Sequence, residues 1–200
     1  MKVLILQGSL KKAIKDSNTD VLVKLISNSF KDKGSTTNVV QLANRKFEYG
    51  TGMNTQNDEK DDMTEVISKI LSADAVIFAT PIWWDNHSSL IQSVIERMDS
   101  IESWSYNNKF YPLYGKIFGV AVSGSSDGYQ KIYGQLFYWA TSLGFTIPPH
   151  CGVYSFAQGK EKILKDKSLN EKIDKMTKNM IAWHSALSSS EDNWGMKVQK

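Results

Sequence analysis

Short apolar runs alternate with amphipathic stretches along most of this chain. Val3–Leu6, Asp74–Thr80 and Lys116–Val122 are runs rich in β-branched and aromatic residues. Such runs predict strands buried on both faces, as in a parallel sheet. Asn38–Leu42 and Phe145–Ile147 bring the expected strands to five. Between them, apolar residues recur at helical spacing. The stripes are Val21, Leu22, Leu25, Ile26 and Phe30, then a short helix over Met63–Leu71, then Leu90, Val94, Met98 and Ile101. Tyr129, Ile132, Leu136, Ala140 and Leu143 follow, and Leu169, Ile173, Met176, Met180, Trp183 and Leu187 come last. Gly34 and Gly144 stand where helices need a left-handed end. Strands alternating with helices predict an α/β three-layer sandwich, with a five-stranded parallel sheet in the order 2-1-3-4-5. Residues 1–187 are expected to form a single domain, and 188–200 a polar tail.

Open α/β sheets bind ligands outside the carboxyl ends of their strands. Three loops there carry candidate chemistry. The first is Gly8-Ser9, followed by Ser17-Asn18-Thr19 at the head of a helix. Hydroxyls and orphan amides at the positive end of a helix suit a phosphate. Neither a dinucleotide Gly-x-Gly-x-x-Gly nor a Gly-Lys-Ser/Thr P-loop is present, which favours a monophosphate. The second loop leaves a strand at Pro81 and continues Ile82-Trp83-Trp84-Asp85-Asn86, placing two indoles where a flat group could stack. The third runs from Ser123 to Gly128. A long polar loop, 44–62, and an aromatic loop from Trp104 to Tyr114 are further candidates for lining a pocket.

Composition narrows the classes. Apolar residues make up 41% and charged residues 22%, as in ordinary globular domains. A net charge of +3 spread along the chain gives no nucleic-acid footprint. One cysteine, Cys151, excludes an internal disulfide and a cysteine-rich metal site. His87, His150 and His184 have no ligand spacing, so no metal is expected. No signal peptide or membrane span is read, and a cytoplasmic protein is expected.

The loop residues resemble those of the flavodoxin-like, NAD(P)H-dependent FMN reductases, which include quinone, nitro and azo reductases. The matching pieces are Gly8-Ser9 with Ser17-Asn18-Thr19, Thr80-Pro81-Ile82-Trp83-Trp84, the helix ending Ile95-Glu96-Arg97-Met98-Asp99, and Ser123-Gly124-Ser125. Two places depart from the pattern. Leu10-Lys11-Lys12 stands where an arginine is common, and Asp85-Asn86 where a glycine is common.

The resemblance implies FMN as cofactor and NADH or NADPH as co-substrate. It implies Ser9, Ser17, Asn18 and Thr19 at the phosphate, and Pro81, Ile82, Trp83 and Trp84 at the ribityl chain and ring. Ser123, Gly124, Ser125 and Gly128 would serve the pyrimidine end. The flavin carries the chemistry, so no catalytic side chain is assigned. A small aromatic acceptor (quinone, nitro, azo or free flavin) and a homodimer or higher homo-oligomer are expected, with no nucleic acid and no membrane. The alternative is a flavodoxin-type electron carrier or flavin-binding regulator. Gly124-Ser125-Ser126-Asp127-Gly128 also reads as Gly-x-Ser-x-Gly, which leaves a Ser126-dependent hydrolase with His150 or His184 as base.

Overall fold

A computed structural model of the chain describes residues 1–11, 17–50, 61–108, 111–125 and 128–189. The expected tail beyond Ser189, the middle of the long polar loop and Ser126 lie outside the described residues. Five parallel strands form one sheet in the order β2-β1-β3-β4-β5. They are β1 (Lys2–Gln7), β2 (Thr36–Gln41), β3 (Ala75–Pro81), β4 (Ile117–Ser123) and β5 (Gly152–Ser155). The helices are α1 (Asn18–Lys31), α2 (Met63–Ser72), α3 (Ser89–Arg97), α4 (Asp99–Asn108), α5 (Tyr129–Ser142), α6 (Lys160–Lys165) and α7 (Lys167–Ser188). The expected order and class are the observed ones.

Alternation along the strands feeds two cores. Leu4, Leu6, Val76, Phe78, Phe118, Val120 and Val122 pack with α2, α3, α4 and α5. Val3, Ile5, Ile77, Ala79, Ala121 and Val153 pack with α1, α6 and α7. The central strands β3 and β4 are buried on both faces, which is why they read as unbroken apolar runs.

The fifth strand is a correction. Phe145–Ile147 makes only an isolated bridge, Thr146 to Ile117, and the strand itself comes later at Gly152–Ser155. Pro148 and Pro149 lack the amides a ladder needs. The chain re-enters the sheet only after His150, which takes a left-handed φ of 57°. The helix expected to reach Ile101 is two helices, α3 and α4, and Trp104 lies in α4 rather than in a loop. The last helix starts at Lys167 because the Asp166 carboxylate caps it, accepting from the Leu169 amide at 3.0 Å.

Gly152 lets α5 lie close on β5: a Cβ there would sit 2.8 Å from two ring carbons of Tyr133. The Tyr133 hydroxyl is buried without a partner, and burial pushes its phenol well above the ordinary tyrosine range. A buried unpaired hydroxyl costs free energy. Tyr133→Phe is therefore expected to raise stability by about 1 kcal/mol, read as a higher midpoint in thermal unfolding. A lowered midpoint would show that the hydroxyl has a partner.

Candidate functional site

The loops after β1, β3, β4 and β5 all open on the carboxyl edge of the sheet. Side chains there facing α1 are hydroxyls. Ser17 is the N-cap of α1, accepting from the Asp20 amide at 3.3 Å, and its own hydroxyl donates to Ser9 Oγ at 3.0 Å. Thr19 Oγ1 lies 2.8 Å from Ser123 Oγ. Ser9, Ser17, Thr19 and Ser123 are all buried. Ser155 pairs with Ser123 in register, and its buried hydroxyl has no partner. The first amides of α1 have no helical carbonyl to meet, and the only first-turn acid, Asp20, is held by Lys24 at 2.6 Å.

This grouping differs from the expected one in two respects. The Ser123 hydroxyl belongs with α1, not with the far end of the third loop. Asn18 is committed elsewhere: its Nδ2 donates to Gln158 Oε1 at 2.7 Å, and its Oδ1 accepts from the Gly159 amide at 3.1 Å. It ties α1 to the loop after β5. Ser155, Gln158 and Gly159 were not legible as site neighbours, because the strand that delivers them was expected earlier in the chain. The Val153–Ser155 alternation after the prolines is the signal that could have placed it.

The tryptophan loop is a tight turn. Trp83 and Asn86 exchange backbone bonds of 2.8 and 2.9 Å. Trp84 and Asp85 between them have φ of 48° and 59°. Positive φ at both central residues marks a type I′ turn, which favours Asn-Gly. An indole and a carboxylate here carry backbone strain. The turn is anchored at its base, where Thr80 Oγ1 accepts from the Ser88 amide at 2.9 Å and the Ile82 amide donates to Ser123 O at 3.0 Å. Pro81 ends β3, Trp83 is 49% exposed, and Trp84 is 93% exposed.

The third loop presses on this turn. A Cβ on Gly124 would lie 2.7 Å from Ile82, and the Gly124 amide donates to Ser155 O at 3.0 Å. Ser125 is exposed. Gly128 caps α5 with φ 117° and abuts Asp85. The predicted residues of all three loops thus come together at one edge.

Little else competes. A cavity of about 220 Å³ lies at the opposite edge, lined by Lys2, Thr36, Asn38, Lys69 and Ser72 among others. It meets the carbonyl end of α2, where Lys69 offsets the dipole, and gathers none of the loop chemistry. For the hydrolase, His150 precedes β5, and His184 lies 3.9 Å from Asp74, ahead of β3. Both candidate bases sit at amino ends of strands, whereas Ser123 closes β4 at its carboxyl end. Among the described residues, no cluster of His, Cys, Asp and Glu could hold a metal ion, and no helix is long and apolar enough to cross a membrane.

The family model for NADPH-dependent FMN reductases matches residues 1–159. The chain belongs to this family. That family is described as one of NADPH-dependent FMN reductases. The chain is 24% identical over 163 residues to the 8-demethyl-8-aminoriboflavin-5'-phosphate synthase of Streptomyces davaonensis, covering 77% of this chain and 63% of that protein. The chain thus spans less than two thirds of that relative. In structure it resembles RosB with its bound intermediate 8-demethyl-8-formylriboflavin-5'-phosphate, at a TM-score of 0.83 and 24% identity, over 95% of this chain and 81% of that one. It also resembles a Streptococcus pneumoniae flavodoxin, at a TM-score of 0.59 and 18% identity, over 91% and 99%. The fold of this FMN reductase family member is therefore flavodoxin-like.

The carboxyl edge fits the family's FMN. A phosphate needs donors, and the Ser9, Ser17 and Thr19 hydroxyls, the first amides of α1 and the unpartnered Ser155 hydroxyl supply them. A flavin ring needs flat apolar walls, and Trp83 and Trp84 are large, exposed and rigidly mounted.

Proposed function

We propose that this chain is an FMN-dependent reductase, taking a hydride from NADPH or NADH and delivering it to a small aromatic acceptor such as a quinone, nitro or azo compound or free flavin. The observation that carries the reading is the meeting of a buried hydroxyl cradle and two exposed indoles at one sheet edge, in a chain of this family. When bound, FMN supplies the hydride chemistry.

The chain's own residues bind and orient. Ser9, Ser17 and Thr19, with Ser155 behind them, hold the phosphate, and Ser123 fixes Thr19. Asn18 positions the head of α1 by clasping the Gln158–Gly159 loop. Pro81, Ile82, Trp83 and Trp84 face the ribityl chain and ring, while Gly124, Ser125 and Gly128 offer backbone groups to the pyrimidine end. Residues 1–187 act as a single FMN-binding domain in a cytoplasmic protein. A homodimer or higher homo-oligomer would cover Trp84, which one copy leaves bare.

The purified protein is expected to carry or take up FMN, with absorption bands that bleach under anaerobic NADPH or NADH and return with a quinone. Flavin that neither nicotinamide bleaches would favour an electron carrier, and failure to bind FMN would end both readings. Ser9→Ala combined with Thr19→Ala is expected to weaken FMN binding by about 1–3 kcal/mol, measured by fluorescence titration, because charge-assisted bonds are lost.

A second reading follows from the likeness to a structure holding a formylated flavin phosphate. There the flavin would be the substrate, chemically altered, rather than a returning cofactor. Mass spectrometry of the flavin before and after turnover separates the two: an unchanged mass supports the reductase.

A further inference from the structure

Tyr154 is a phenol that the proposed cofactor site does not use. It stands on β5 next to Ser155 and packs on the face that carries α5. Its ring stacks on Tyr129, with centroids 3.9 Å apart and planes at 17°. Lys172 reaches from α7 to place Nζ 4.2 Å from the Tyr154 centroid. Phe156 closes the group, 5.1 Å from Tyr154 and 5.7 Å from Tyr129. Tyr129 directly follows Gly128, the residue pressed against Asp85 of the tryptophan turn. The cluster therefore borders the two loops that frame the proposed ring site, and Tyr154 is itself partly exposed.

The groups that face Tyr154 are Tyr129 from α5 and Lys172 from α7, with Tyr133 of α5 beside Tyr129; Cys151 bears on Tyr133, not on Tyr154. Hydrogen bonding from Tyr129, then bonding and charge from Lys172, hold the Tyr154 phenol below the ordinary tyrosine range. Burial acts the other way on Tyr133, raising its phenol, and on Cys151 across the sheet, pushed up to about 12, so both stay neutral. Among these groups Tyr154 alone combines exposure, a cationic partner and a place beside the site.

An acceptor such as a quinone that takes two electrons as a hydride must also gain one proton. We propose that Tyr154 supplies it. The Tyr154 O–H bond breaks and an O–H bond forms on the acceptor oxygen, while the hydride comes from the reduced flavin. The phenolate left behind is stabilised by the Lys172 ammonium and the Tyr129 hydroxyl, and water restores its proton. This inference rests on the reductase reading.

Two measurements test it. In flavin-free protein, near-ultraviolet titration should show one tyrosine ionising ahead of the rest. That early step should be lost in Tyr154→Phe and moved to higher pH in Lys172→Met. In FMN-loaded protein, anaerobic NADPH should reduce wild type and Tyr154→Phe at the same rate. Reoxidation by a quinone should then be about 10²–10⁴-fold slower in Tyr154→Phe, the usual worth of a positioned general acid. If NADPH leaves the wild-type flavin oxidised, the reductase reading fails and this proposal with it. If reduction proceeds but Tyr154→Phe reoxidises like wild type at every pH, or the early tyrosine step survives in it, the reductase stands and the Tyr154 assignment is overturned.

Discussion

Replacing Arg97 by alanine is expected to cost about 3–5 kcal/mol of folding stability. Arg97 closes α3 and is 1% exposed. Its Nη2 lies 2.5 Å from Asp61 Oδ2, and its Nη1 donates to the Glu48 carbonyl at 2.9 Å. The planar guanidinium fork presents one nitrogen to each acceptor, a fixed geometry that a compact ammonium lacks. Asp61 is itself buried, so the alanine variant strands a carboxylate away from water with no cation. The long polar loop is closed nearby: the Asp62 amide donates to Lys46 O, and the Lys46 amide donates to the Asp62 carboxylate, both at 2.9 Å. Arg97 thus fastens both limbs of that loop to α3. Urea unfolding should show the midpoint falling with the slope unchanged. Arg97→Met combined with Asp61→Leu should recover most of the loss, since neither charge is then buried alone. A loss below about 1 kcal/mol in the single variant would instead place the pair among solvated surface bridges.

That ion pair shows where sequence reasoning stops. Arg97 reads as the polar end of an amphipathic helix and Asp61 as one acid in a polar loop, and no local pattern links them. Local patterns did suffice for β3 and β4, because a strand covered by helices on both faces must be apolar throughout. They failed at β5, an edge strand of four residues that starts with glycine and is buried on alternate positions only. The same limit governs the site. The positions of Ser9, Ser17, Thr19, Trp83 and Trp84 at the carboxyl edge were legible because each sits beside a strand end or a helix start. Those of Ser155 and Tyr154 were not, since they depend on the strand that was misplaced. That Ser123 meets Thr19 of α1 turns on which face of β4 its side chain takes, a matter of pleat that a one-residue shift reverses. Asn18 likewise reads as a free cap, and only the fold brings Gln158 within its reach.

Gly128→Ala is the other substitution expected to do large damage, about 2–4 kcal/mol from two separable causes. The first is backbone strain, because φ is 117° at this residue and an L side chain rarely adopts it. The second is collision. A Cβ would stand 2.5 Å from Asp85 Oδ1 and 3.0 Å from Asp85 Cα. The carboxylate can swing aside, but the Cα belongs to a turn locked by the paired Trp83–Asn86 bonds, with Asp85 already at φ 59°. Asp85→Gly alone should be neutral or slightly stabilising, since glycine accepts that φ freely. Made in the Asp85→Gly background, Gly128→Ala should lose part of its collision cost and keep its φ strain. The two substitutions should therefore be non-additive by about 0.5–3 kcal/mol, as expected for residues in contact. Urea midpoints of the two single variants and the double variant give that coupling directly, and strict additivity would mean that the loops do not touch. FMN titration of the same set carries the argument to function. If the third loop sets the pose of Trp83 and Trp84, Gly128→Ala should weaken FMN binding and Asp85→Gly should partly restore it, in step with the coupling in stability.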